Sequence, residues 1–84
     1  MKRNEAEIIT QKVVAILEKE RIRRNVPKLQ ISKETGLSRT ALTLVENNKN
    51  SPTLRTLLMV ASAINIDLKE VIAQAEQTVE DKSS

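Results

Sequence analysis

The chain has 84 residues, one glycine, two prolines, and no cysteine, histidine or aromatic residue, so a single small domain must build its core from Leu, Ile, Val and Ala. Without Cys or His there are no disulfides, zinc fingers, thiol nucleophiles or imidazole bases, and without aromatics there is no stacking platform for single-stranded nucleic acid. The formal charge is +3, no apolar run approaches the ~18 residues of a membrane span, and no leader is visible at the charged N-terminus, which points to a cytoplasmic protein with no metal, cofactor or small-molecule ligand.

The first segment, Asn4 to about Arg24, predicts a long helix. Ile9, Val13, Ile16 and Leu17 form its apolar stripe with Ile8 beside them. Asn4 is its expected N-cap, and Pro27 stops any continuation. A short second helix is expected over 28–35, with Ile31 inward together with Leu29 or Ser32. Gly36 then supplies the positive φ that ends that helix and turns the chain. Leu37 follows as an apolar plug and Ser38 as the N-cap of a third helix reaching about Asn47, with Leu42 and Val45 inward. Two short helices around a glycine turn have the layout of a helix-turn-helix that reads DNA.

Residues 47–52 form a polar turn. Thr53 caps a fourth helix over 54–64, whose expected inner face is Leu54, Leu57, Leu58, Ala61 and Ile64, and Asn65 ends it. Asp67 and Glu70 make a start like a capping box for a fifth helix carrying Leu68, Val71 and Ile72. The expected division is a domain over 1–77 and a polar tail over 78–84. Charge is uneven along this path. Lys19, Arg21, Arg23, Arg24, Lys28, Lys33 and Arg39 crowd the stretch around the turn, against Glu20 and Glu34, whereas acids predominate from Asp67 onward. Such asymmetry implies an anionic partner at one face.

From Arg21 to Ile72 the chain resembles the phage repressor/Cro-type helix-turn-helix regulators. The resemblance is carried by Ile31, Thr35-Gly-Leu-Ser-Arg39, Leu42, Val45-Glu46, Lys49, Ser51-Pro-Thr-Leu54, Thr56-Leu-Leu58, Val60-Ala61, Ala63-Ile64 and Leu68. It implies an all-α fold, a compact five-helix lambda-repressor-like DNA-binding domain, here with an extended first helix. The chain departs from the family pattern at Pro27, Lys28, Ser32, Asn48 and Asn65, the last two standing where glycine is usual.

The resemblance implies double-stranded DNA as partner and the third helix as reader. Arg39 and Thr40 occupy its first turn, Thr43 lies one turn along, and Leu44 follows. Arg39 either grips a guanine edge or clamps a phosphate. Thr40 and Thr43 either meet bases or bond backbone, and Leu44 either touches thymine methyls or packs at the core edge. Lys28 beside the free amides of the second helix, Ser38 at the cap, and Asn47, Asn48, Lys49 and Asn50 in the following loop are the expected phosphate contacts. The resemblance also pairs Arg21 with Glu46, and Leu68, Val71 and Ile72 are the expected dimer surface.

The function expected is a sequence-specific transcriptional regulator, not an enzyme, acting as a homodimer on a pseudo-palindromic operator. The alternative is a protein-binding adaptor or antitoxin component that uses the same helices for contacts with a toxin or co-regulator.

Overall fold

The computed structural model describes residues 1–83. Five helices follow one another, α1 (Arg3–Arg23), α2 (Lys28–Thr35), α3 (Arg39–Glu46), α4 (Leu54–Ala63) and α5 (Leu68–Ser83), and there is no strand among the described residues. The fold is all-α with a long first helix, as the sequence predicts. The α5 helix lies along α1, while α2 packs on both α3 and α4. Val13, Leu17, Ile31, Leu42, Ala61, Ile64, Leu68, Val71 and Ala75 meet in one core.

Four helices end on a left-handed residue. Gly36 (φ 80°) terminates α2, and its amide donates to the Ser32 carbonyl at 2.9 Å. Nothing lies within 4 Å of a Cβ placed on Gly36, so the requirement for glycine there is one of backbone conformation and not of space. Asn25, Asn48 and Asn65, with φ of 57–58°, do the same for α1, α3 and α4. Each carries the paired bonds of a Schellman end. After α1, for example, the Asn25 amide donates to the Ile22 carbonyl and the Val26 amide to that of Arg21, both at 3.0 Å. The residues that follow, Val26 and Ile66, pack on the core, which supplies the apolar contact that accompanies such ends.

Helix starts are also locally encoded. The Ser38 hydroxyl accepts from the Ala41 amide and that of Thr53 from the Thr56 amide. The Asp67 carboxylate accepts from the Lys69 amide at 3.0 Å. The expected cap at Asn4 is not formed. Helix α1 begins earlier, with Lys2 in the capping position and no side-chain bond there.

Three packing expectations change. Val14, outside the predicted stripe, is buried. Leu29 is exposed while Ser32 is half-buried beside Ile31. On α4, Leu54 (63% exposed) and Leu58 (51%) stand outside the core. The inner row is Leu57, Val60, Ala61 and Ile64, and Leu54 and Leu58 lie one step around the helix from it. Helix α5 also continues as helix through 78–83, the segment expected as a polar tail; Ser84 lies outside the described residues.

Ala75 has no exposed surface and sits in the core on the helix that packs along α1. A larger side chain there must displace its buried neighbours. Ala75→Leu is therefore expected to cost about 1–3 kcal/mol through forced rotamers and backbone shifts. Urea denaturation measures this, and an unchanged midpoint would show that the α1–α5 packing is loose.

Candidate nucleic-acid interface

The turn between α2 and α3 is held from within. The Thr35 hydroxyl donates to the Ile31 carbonyl at 2.7 Å and accepts from the Leu37 amide at 3.2 Å. Leu37 packs on the core, and the Ser38 cap starts α3 immediately after it. Arg39 and Thr40 therefore project from the first turn of α3, both exposed. Leu44 is half-buried and lies outside the core cluster, whereas Leu42 is buried within it.

Helix α3 is fixed at its other end by an ion pair. Arg21 Nε donates to Glu46 Oε2 at 2.9 Å and its Nη2 donates to Oε1 at 3.3 Å, a two-pronged grip. A third donor, Nη1, reaches the Val26 carbonyl at 3.1 Å. Only 13% and 12% of the two side chains remain accessible. The pair that the resemblance implied is present, and it ties α1 to the last residue of α3.

Lys28, expected as a phosphate contact, already has partners inside the fold. Its Nζ donates to Thr43 Oγ1 at 2.9 Å and lies 3.5 Å from Glu46 Oε1. The reason is proximity: the first residue of α2 faces α3, and a carboxylate and a hydroxyl there offer the ammonium better partners than solvent. Thr43 is half-buried beneath it. Arg21, Glu46, Lys28 and Thr43 thus form one connected polar group spanning three helices.

Other members of the basic stretch are also occupied. Arg23 hydrogen-bonds Glu20 at 2.7 Å. That bond, with the neighbouring arginine charges, holds the Glu20 carboxyl below its ordinary pKa. Arg24 Nη1 donates to the Ile64 carbonyl at 3.0 Å, closing the end of α4. The crowding of cations in the sequence therefore overstates the charge left for a partner. Lys33, Arg39, Lys49 and Arg55 are exposed and have no ion pair among the described residues.

The loop after α3 keeps its side chains outward. Asn47, Asn48, Lys49 and Asn50 are all exposed. The Leu44 carbonyl accepts from the amides of Lys49 at 2.8 Å and Asn50 at 3.3 Å, which fixes the loop against the helix it follows. Exposed Ser38, Arg39 and Thr40 thus flank one end of α3, and this polar loop flanks the other.

The expected dimer surface needs correction. Leu68 and Val71 are 5% and 4% exposed and belong to the protomer's own core. An apolar stripe on a helix does not say which neighbour covers it, and here α5 spends those residues internally. Ile72 is half-buried and keeps some surface.

No group of His, Cys, Asp or Glu that could hold a metal occurs among the described residues, and none of their helices is long and apolar enough to cross a membrane.

A family model described as helix-turn-helix matches residues 17–71. The chain is 31% identical over 71 residues to the ImmF control region 10 kDa protein of Bacillus phage phi105, an alignment that covers 84% of this chain and 79% of that protein. No solved structure matches. The matched segment begins within α1, so the first turns of that helix lie outside the family pattern.

Proposed function

This chain belongs to the helix-turn-helix family of phage repressor and Cro type, and from that premise we propose that it is a sequence-specific regulator that reads duplex DNA with α3 in the major groove. Membership alone makes it a DNA-binding transcription regulator. The observation that supports the finer reading is the capped start of α3, where exposed Arg39 and Thr40 project next to a cap hydroxyl and have no internal ion pair. Arg39 and Thr40 read base edges, with Thr43 and Leu44 further along the same helix. Ser38, Asn47, Asn48, Lys49 and Asn50 hold phosphates on either side. The phage relative's name, which refers to a control region, fits a regulator of this kind.

One short helix reads only a few base pairs. Affinity then requires two copies on half-sites spaced by one helical turn, roughly 34 Å, and hence a homodimer on a pseudo-palindromic operator. Ile72 contributes to its surface, and exposed Leu54 and Leu58, one turn apart on α4, offer further apolar area. Those same leucines favour the second reading, in which α4 docks a protein partner such as a toxin or co-regulator.

A salt titration tests the proposal. Binding to duplex DNA selected from a random pool is expected to weaken steeply as salt rises, with a log–log slope near −0.9 per phosphate contact. Lys49→Ala is expected to weaken all duplexes alike and to reduce the slope by about 1. Absence of duplex binding at low salt would overturn the reading. Capture of a protein through Leu54 and Leu58, insensitive to salt, would favour the adaptor.

A further inference from the structure

Thr43 differs from three other threonines that lie inside helices. Thr10, Thr35 and Thr78 each donate their hydroxyl proton to the carbonyl four residues earlier, at 2.8, 2.7 and 3.0 Å. That back-bond is one common state of a helical threonine. Thr43 makes no such bond to the Arg39 carbonyl. Its hydroxyl oxygen accepts from the Lys28 ammonium at 2.9 Å, and its proton has no acceptor among the described residues.

A hydroxyl has one proton to donate and two lone pairs. An ammonium at hydrogen-bond distance occupies one lone pair, and its charge drives the O–H bond to point away from it. Lys28 cannot turn freely, because Glu46 Oε1 lies 3.5 Å from its Nζ and Glu46 is itself gripped by Arg21. The second lone pair stays free, but the ammonium's charge beside the hydroxyl favours a neighbouring acceptor over a neighbouring donor.

We propose that Lys28 is a positioning residue that biases Thr43 toward donating, so that Thr43 favours base edges presenting an acceptor and disfavours cytosine. In the major groove the acceptors are purine N7, guanine O6 and thymine O4, whereas cytosine presents only its N4 amino donor. The proposal rests on the reading that α3 lies in the major groove. It assigns Lys28 to specificity and removes it from the phosphate contacts.

The experiment is selection of bound duplexes from a random pool by the full chain and by Thr43→Val, Thr43→Ser, Lys28→Gln and the Thr43→Val/Lys28→Gln double variant, with a thermal melt of each. Glutamine can donate to or accept from the hydroxyl, so it keeps a polar partner but frees the polarity. The unaltered chain is expected to disfavour cytosine at one position per half-site by roughly five- to tenfold, the worth of one neutral hydrogen bond. Thr43→Ser is expected to keep that exclusion, and Thr43→Val to lose it. Lys28→Gln is expected to admit cytosine at the same position while leaving the other positions unchanged, and the double variant to go no further than either single.

An even loss across all sequences in Lys28→Gln, with a salt slope lower by about 1, makes Lys28 a phosphate clamp and overturns the proposal. So does an unchanged preference in Lys28→Gln where Thr43→Val alters it. If neither variant changes any preference, Thr43 does not face the bases. If the unaltered chain selects no duplex at all, the DNA-reading proposal itself fails. Should Lys28→Gln melt before it can be assayed, loss of the bias against cytosine in Thr43→Val but not in Thr43→Ser supports the proposal, and its persistence in Thr43→Val overturns it.

Discussion

Replacing Glu46 by alanine is expected to cost about 3 kcal/mol of folding stability, the lower end of the range for breaking a buried ion pair. The lower end applies because each side chain keeps a little over a tenth of its surface accessible, 13% for Arg21 and 12% for Glu46. The loss arises mainly from what remains. Arg21 keeps only its bond to the Val26 carbonyl, and Lys28 keeps only Thr43. Both cations are then partly desolvated without a counter-charge. Glu46→Gln is expected to lose less, since its amide oxygen still accepts one guanidinium bond. Urea denaturation of both variants measures the difference. A loss below about 1 kcal/mol in Glu46→Ala would mean that the pair acts like an exposed surface bridge. The effect on DNA is expected to exceed the effect on stability, because this pair ties α1 to the C-terminal residue of the reading helix.

Arg39→Ala is expected to do the reverse: leave stability within about 0.5 kcal/mol and remove preference at one base position in each half-site. Its side chain is exposed and has no ion pair among the described residues, so the folded chain loses nothing with it. An arginine gripping a guanine edge with two bonds discriminates by about 1–3 kcal/mol, and each 1.4 kcal/mol is about tenfold in affinity. Duplex selection with the variant, compared with that of Lys49→Ala, separates the roles. Should both substitutions weaken every sequence equally, Arg39 is a phosphate contact and base reading must lie with Thr40, Thr43 or Leu44.

Most of what places α3 was legible in the sequence because it is local chemistry. Gly36, Ser38 and Thr53 act on amides and backbone angles within four residues of themselves, and the bounds of α2, α3 and α4 follow from them. The three asparagines act equally locally. Asn48 and Asn65 were readable as glycine substitutes, whereas Asn25 was hidden behind the stronger stop signal of Pro27. What could not be read depends on distant neighbours. The direction of Lys28 is set by Thr43 and Glu46, which only the packing of α2 on α3 brings near. Whether Leu68 and Val71 face a partner or a core depends on where α1 lies, and whether Leu54 and Leu58 are covered depends on how narrow the seam against α4 is. Periodicity reports an apolar face but not its width or its occupant.

The left-handed helix ends also bear on how quickly this chain finds its fold. Each asparagine stop narrows the backbone choices of the unfolded chain more than a glycine would, so less freedom is surrendered at those points on folding. Each also acts without waiting for any remote contact. The lengths of the helices are thus set locally, whereas the packing of α5 along α1, the last helix on the first, closes nearly the whole chain into a loop and is the step that local signals cannot hasten.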